Sequence, residues 1–426
     1  MPSAVDGRPR IGIVGSGIAG LRAAKAILTC KADARIVIFG DEAHRTYNRP
    51  GLTKKRYPLS DALDMTIAED VKVNGAENDA LTWRLGTRVE AADLRDRILH
   101  LSTGETFEYD GLVIAAGVRP RASFRGDGEC ELHTHRTLRG LGDARYIHHR
   151  LQTSDKVTLV GAGFVACELA SLAREYGCEV LMLEALRRGP FESVLGERVA
   201  MALGRWLVQH GIRFLTGDSA RELLCDVAPS NPEPASGPPD RSLFIEAIGS
   251  VPNVEWLHGN GLDLSDGVRV DEYMRVSPWS NVFAAGDIAR YPDPWTVGNL
   301  TRMEFWKNAI DTGDLAGRSL ASALGYGSAT SRIGYFPSMS TEVLGLRIQI
   351  AGNPKISDSM ETVCGDLDQL DQGVLVAYLR EGAMVGAAYM DKGARFNSSY
   401  IRLLKSLRER PERAASPAPV TTSRSR

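Results

Sequence analysis

The sequence predicts an α/β protein: two copies of one strand–turn–helix unit, followed by a smaller α+β domain. Three observations predict this. A glycine-rich turn follows a short apolar run at Gly15-Ser-Gly17-Ile-Ala-Gly20 and again at Gly161-Ala-Gly163-Phe-Val-Ala166. After each turn, apolar residues recur at helical spacing and a second apolar run follows. From about residue 330 the pattern changes to strict alternation, as in Leu346-Arg-Ile-Gln-Ile350 and Val374-Leu-Val-Ala-Tyr378, which reads as a small antiparallel sheet.

In the first unit, Ile11 to Val14 reads as a buried parallel strand, and Leu21, Ala24 and Ile27 mark the helix face. Gly15 permits the tight turn, Gly17 lets backbone approach a pyrophosphate, and Gly20 lets helix pack on strand. The phosphates would sit on free N–H groups at the helix N-terminus, where the helix dipole favours anions. Arg35-Ile-Val-Ile-Phe39 reads as the second strand, and Asp41 stands about twenty residues past the last glycine, where a ribose-binding acid belongs.

The bulk numbers set limits. A chain of 426 residues holds two or three domains. With 43% hydrophobic and 24% charged residues it has a globular composition. A net charge of −2 provides no global field toward nucleic acid or an anionic membrane. No apolar run reaches the length of a spanning helix, and the N-terminal residues lack a signal-peptide pattern, so a cytoplasmic protein is expected. Cys30, Cys130, Cys167, Cys178, Cys225 and Cys364 form no C-x-x-C or C-x-x-x-x-C pair. That argues against a redox dithiol and against a locally built metal site, so no metal is expected.

Tyr47-Asn-Arg49-Pro50-Gly51-Leu52-Thr53-Lys54 is a loop fixed by Pro and Gly. In a dinucleotide site it brings Arg49 to phosphate and Lys54 to the reactive ring; otherwise it is a solvated turn. Residues 87–109 alternate in short runs, predicting an antiparallel meander. Residues 109–116 read as a buried strand ended by Gly117 and Pro120. In the second unit the strand 156–160 leads into Gly161, Gly163 and Ala166, and Glu184 closes the next strand about twenty residues later. Two nucleotide cradles in one chain imply electron transfer between two dinucleotides. Residues 225–242 are Pro-rich and read as an inserted exposed loop. Residues 244–249 resume a strand, and 281–285 form another that ends in Gly286-Asp287, where ligands bind in open α/β sheets. A helix is expected near 398–407, then a disordered tail rich in Pro, Ser, Thr and Arg.

Together these residues resemble the rubredoxin/ferredoxin reductase family, the FAD-dependent NADH reductases of oxygenase and P450 electron chains. The likeness covers roughly residues 8 to 407. Tyr47-x-Arg49-Pro50-x-Leu52-Thr53-Lys54 is similar to the family's Y-x-R-P-x-L-S-K, and Ala115-Ala116-Gly117-x-Arg119-Pro120 to its A-T-G-x-R-P. Ala284-Ala-Gly286-Asp287 is similar to A-x-G-D, and Arg302-Met-Glu304-Phe-Trp306-Lys-Asn308-Ala309 to R-x-E-x-x-x-N-A.

The resemblance implies two Rossmann-like, FAD/NAD(P)-binding domains plus a C-terminal α+β domain. Residues 1–124 and 251–328 would form a discontinuous FAD-binding domain, 125–250 the NAD(P)H-binding domain, 329–408 the C-terminal domain and 409–426 the tail. It implies that Gly15, Gly17 and Gly20 bind the FAD pyrophosphate and Asp41 its ribose. Arg49 and Lys54 would lie near the phosphates and the isoalloxazine, and Arg119, Asp287, Glu304 and Trp306 would complete the FAD site. Gly161, Gly163, Ala166 and Glu184 would form the NADH site. Glu168 would pair with Lys54 beside the flavin, and these two are the expected catalytic residues. Hydride transfer needs nicotinamide C4 within about 3–3.5 Å of flavin N5, and a cation near N1/N5 favours reduced flavin. Glu184 favours NADH over NADPH because it repels a 2′-phosphate, although Arg187 and Arg188 stand nearby.

One segment departs from the family. Phe336-Pro-Ser-Met-Ser340-Thr-Glu342-Val replaces its usual F-W-S-D-Q, with Ser340 at the Trp position. Three readings follow: an FAD enzyme passing electrons from NADH to a ferredoxin-type carrier, one acting on a small organic acceptor through the altered 336–343 segment, and an NADH-sensing flavoprotein similar to apoptosis-inducing factor. Arg402, Lys405, Arg408, Arg410 and Arg413 would meet an acidic ferredoxin, or form a solvated helix face.

Overall fold

Strand Arg10–Val14 is apolar on both sides, and it sits at the centre of a five-stranded parallel sheet. Its neighbours are Arg35–Phe39 and Gly111–Ile114; Leu81–Arg84 and Val282–Ala284 form the edges. Burial on two faces needs two covers. One is the meander of Val89–Asp93, Ile98–Leu101 and Thr106–Glu108, whose Leu99 and Phe107 pack over Gly12. The other is the helix pair Ile18–Thr29 and Trp306–Ala323. A Cβ at Gly313 or Gly317 would lie 2.5 or 2.3 Å from the carbonyl oxygens of Ala19 and Ala23, so these helices touch backbone to backbone. The computed structural model describes residues 7–54, 80–122, 135–227, 241–293, 296, 298–327, 337–393 and 398–414.

The second unit repeats the plan. Lys156–Val160 is the central strand of another five-stranded parallel sheet, between Glu179–Glu184 and Ser242–Glu246, with edges Ile212–Thr216 and His135–Thr137. The chain crosses between the units twice. The crossings run side by side as Val118–Pro120 paired antiparallel with Ser250–Pro252. The expected buried strand, Gly111–Ile114, ends before Gly117, whose φ of 64° turns the chain, and Val118–Pro120 forms a separate strand.

The third sheet is antiparallel, in the order Ser338–Val343, Leu346–Gly352, Ala383–Asp391, Val374–Arg380, Ser359–Cys364. It shares one hydrophobic core with the second unit: Val343, Leu346, Ile348 and Ile350 cluster with Leu169, Leu172 and Trp206. Trp206 Nε1 donates to the Val343 carbonyl at 3.1 Å, and Tyr378 Oη to the Leu195 carbonyl at 2.9 Å. The terminal helix Ser398–Ala414 packs Tyr400 and Leu407 on Tyr389 and Leu375. It runs past the expected end at Leu407 to Ala414: Arg408, Glu409 and Arg410 are good helix formers, and the helix continues across Pro411. The expected Pro-rich loop lies largely outside the described residues; helix Gly217–Val227 takes in its first positions. The expected boundaries near 125 and 329, and the tail from 415 onward, also lie outside them.

Candidate functional site

The two glycine turns are built alike. Gly15 has φ 119° and Gly161 φ 105°, and each backbone N–H donates to the end of the adjacent strand: Gly15 to Phe39 at 2.8 Å, Gly161 to Leu183 at 2.7 Å. A Cβ at Gly15 would lie 2.1 Å from the Ala115 oxygen, and one at Gly161 2.4 Å from the Ala247 oxygen. Only glycine fits there. Gly17 and Gly163 are the N-caps of helices Ile18–Thr29 and Phe164–Glu175, and neither helix has a side-chain cap. A Cβ at Gly17 or Gly163 would meet nothing within 4 Å. Each turn therefore presents uncapped N–H groups to open space, which fits a pyrophosphate in both. At Gly20 a Cβ would lie 2.0 Å from the Gly15 oxygen, whereas Ala166 is fully buried with its methyl accommodated.

One short segment links the two turns. Thr46 Oγ1 donates to the Ser16 carbonyl at 2.8 Å, inside the first glycine turn. Seven residues on, the 3-10 helix Arg49–Thr53 ends against helix Phe164–Glu175. There Thr53 Oγ1 donates to Glu168 Oε2, and Lys54 Nζ lies 3.4 Å from Glu168 Oε1. Glu168 sits about 7.5 Å along its helix from Gly163. From the second unit, the ring of fully buried His148 hydrogen-bonds the Leu52 carbonyl at 3.1 Å. Burial lowers the His148 pKa, so the imidazole is held neutral.

A network of charges surrounds this strap of residues 46–54. Arg49 pairs with Glu42 and donates to Tyr47 Oη and to the Arg139 carbonyl, both at 2.9 Å. Burial opposes ionisation of Glu42, but the Arg49 charge and the hydrogen bonds from Tyr47 and Arg49 outweigh it and hold its pKa low. Asp287 follows the strand end Val282–Ala284, with Arg139 Nη2 at 3.6 Å. Burial pushes its carboxyl up, against the Arg139 charge. Glu304 accepts from Arg302 at 2.7 Å and from Ser250 Oγ at 2.5 Å, and Trp306 opens helix Trp306–Ala323 against the first core. Asp41 is exposed. Arg119 is also exposed, turned to Glu255 at 2.6 Å and to Asn253 at 3.2 Å. Glu184 accepts backbone N–H bonds from Ala162 at 2.8 Å and Leu186 at 2.9 Å, so it braces the second turn directly. Arg187 engages Asp218 at 3.3 Å and Arg188 engages Glu197; both arginines line an open groove of about 710 Å³.

Sequence reading missed Arg139, His148 and Thr341, each of which reaches the strap, Asp287 or Glu168 from a distant segment. Thr341 Oγ1 donates to Glu168 Oε1 at 2.5 Å. Strand alternation carried the signal for Thr341, because it shares a strand face with buried Val343. Among the described residues no group of His, Cys, Asp or Glu could hold a metal, and no helix is long and apolar enough to cross a membrane. Cys30, Cys167 and Cys178 are free thiols, and burial raises the Cys167 and Cys178 pKa values, which keeps them unreactive.

Two dinucleotide cradles joined by a strap that ends in an ion pair define an oxidoreductase of the two-nucleotide class. Comparison with known proteins narrows it. The chain belongs to the pyridine nucleotide-disulphide oxidoreductase family, whose profile matches residues 9–313. It is 31% identical to the ferredoxin–NAD(+) reductase component of an anthranilate 1,2-dioxygenase system from Burkholderia cepacia, over 73% of this chain and 75% of that one. It is 28% identical to the corresponding component of a biphenyl dioxygenase system from Paraburkholderia xenovorans, over 91% of each. Among solved structures it superposes on the covalent putidaredoxin reductase–putidaredoxin complex with a TM-score of 0.78 at 23% identity, over 96% of both chains. The protein is an NAD(P)H-dependent flavoprotein reductase, with FAD and a pyridine nucleotide as cofactors.

Proposed function

We propose that this reductase takes hydride from NADH and delivers electrons to a ferredoxin-type iron–sulfur protein of an oxygenase or P450 system. The observation that carries the reading is the strap of residues 46–54, fastened to the first glycine turn through Thr46–Ser16 and to the second turn's helix through Thr53, Lys54 and Glu168. Relatives named as ferredoxin–NAD(+) reductase components support the choice of acceptor. In this reading residues 1–124 and 251–328 hold FAD, 125–250 hold NADH, and 329–408 complete the flavin pocket.

Bound there, FAD would supply hydride acceptance from a nicotinamide and one-electron release to a carrier. The chain supplies the placement. Gly15, Gly17 and Gly20 give the first pyrophosphate its N–H groups, with Asp41 at the ribose; Gly161 and Gly163 do the same for the second. Arg49, Arg119, Asp287, Glu304 and Trp306 complete the FAD site. Lys54 holds an ammonium at the reacting end, and Glu168 fixes its direction. Glu184 holds a carboxylate beside the second turn, where it would repel a 2′-phosphate, while Arg187 and Arg188 are engaged by acidic partners, which favours NADH. We expect NADH to exceed NADPH in kcat/KM by about 100-fold, from like-charge repulsion at Glu184. Steady-state rates with each nucleotide check this.

The acceptor is tested by cytochrome c reduction with and without added ferredoxin. Ferredoxin-dependent reduction supports the proposal; rapid NADH oxidation that ferredoxin does not stimulate overturns it. The exposed side chain of Ser340, at the place of the family's tryptophan, favours a small organic acceptor as the second reading. A quinone that sustains turnover without ferredoxin would establish that alternative.

A further inference from the structure

Glu168 is only 8% exposed, and both of its carboxylate oxygens are engaged. Thr53 takes Oε2; Thr341 and Lys54 share Oε1, at 2.5 and 3.4 Å. A buried carboxylate needs such donors to stay charged. They arrive from two elements remote in sequence: the strap and the edge strand Ser338–Val343.

That strand does two things with adjacent residues. The bond from Gly352 N–H to the Pro337 carbonyl, 2.8 Å, sets the phase of its ladder with Leu346–Gly352. In an antiparallel pair the alternate carbonyls face away from the partner strand. The Ser340 carbonyl is one of these, and Lys54 Nζ donates to it at 3.3 Å. The same alternation buries the Thr341 side chain to 2% exposure while Ser340 and Glu342 face solvent.

We propose that Thr341 is a positioning residue for the Lys54–Glu168 pair. Its hydroxyl aims Glu168 Oε1 at the ammonium, and the neighbouring Ser340 carbonyl takes a second ammonium hydrogen. The antiparallel sheet thus sets where the charge of Lys54 stands. The effect on hydride transfer rests on the function proposed above; the placement of the ammonium does not.

Thr341→Val removes the hydroxyl at nearly constant shape, and Thr341→Ser keeps it; Thr341→Ala gives the same test should valine crowd the core. Lys54 reactivity is read first, by competitive amine labelling of the full chain and mass spectrometry. We expect Thr341→Val to label about fivefold faster, because an amine no longer held against a fixed Glu168 carboxylate is freer to meet the reagent, and Thr341→Ser to label like wild type. In the FAD-loaded enzyme, stopped-flow mixing with NADH should show a limiting reduction rate about tenfold lower in Thr341→Val, with the NADH dissociation constant within twofold and the serine variant restored. Wild-type labelling and a wild-type rate in Thr341→Val overturn the inference and leave the proposed function standing. A wild type that is not reduced by NADH overturns that function, while the labelling rates still decide the ammonium's placement.

Discussion

The two glycine cradles differ by one methyl group and by what their acids do. Their backbones match closely: Gly17 has φ −77° and ψ −176°, Gly163 φ −78° and ψ −173°. Yet the first helix has no room for a Cβ at Gly20, while the second buries Ala166 at the same step. The first helix is clamped from behind by Gly313 and Gly317, whose backbone meets its own. The second helix lies among side chains, Val343 and Leu346 of the third sheet included. The acids diverge too, since Asp41 is exposed and Glu184 already braces its own turn. Backbone geometry repeats the phosphate chemistry, and side chains then make one cradle tight and the other tolerant.

Substitutions can break that comparison. The largest effect is expected at the positive-φ glycines. Gly15→Val drives a Cβ into the Ala115 carbonyl at 2.1 Å from a φ of 119°; it should cost more than about 4 kcal/mol and leave little folded protein by circular dichroism. The exchange pair comes next. Gly20→Ala should destabilise by about 3 kcal/mol through its backbone clash, while Ala166→Gly should cost only about 1 kcal/mol, both read by urea denaturation. Equal costs would mean that the two helices sit equally close to their strands. At the open glycines stability should hold and binding fail. Gly163→Val should weaken NADH binding by about 100-fold with flavin content unchanged, and Gly17→Val should do the reverse, by titration and absorbance.

The smallest effect concerns the strap's two anchors. Thr46–Ser16 contains no titratable group, whereas His148–Leu52 contains an imidazole. Burial lowers the His148 pKa from its usual 6.5, so in acid the unfolded chain binds the proton more readily than the folded one. Stability should therefore fall as pH drops below about 6.5. His148→Gln, which keeps a side-chain N–H but does not titrate, should flatten the decline in Tm between pH 7 and 5.

Much of this was legible in the sequence. The glycine spacings, the apolar runs and the acids closing the second strands locate both cradles, because each depends on residues close together in the chain. The Lys54–Glu168 contact spans more than a hundred positions, and only resemblance to a family suggested it. Thr341 escaped notice because attention falls on Ser340, the residue that departs from the family. Alternation puts Thr341 on the face of buried Val343, but that this face meets Glu168 depends on how the third sheet seats against helix Phe164–Glu175, and a sequence does not state that. Arg119 carries a motif yet turns to Glu255, an acid whose proximity depends on the second crossing of the chain. Alternation in 346–350 announces a buried face, but not that the second unit supplies the other half of that core.

The strap also bears on any attempt to graft a foreign nucleotide module into this chain. A donor chosen for a different coenzyme would bring its own glycine turn intact. It would still need an acid at the place of Glu168 and a partner for the Leu52 carbonyl, or the loop leaving the first module would end on nothing. The unit of exchange is therefore larger than the module: it includes the landing points that its neighbour's loop requires.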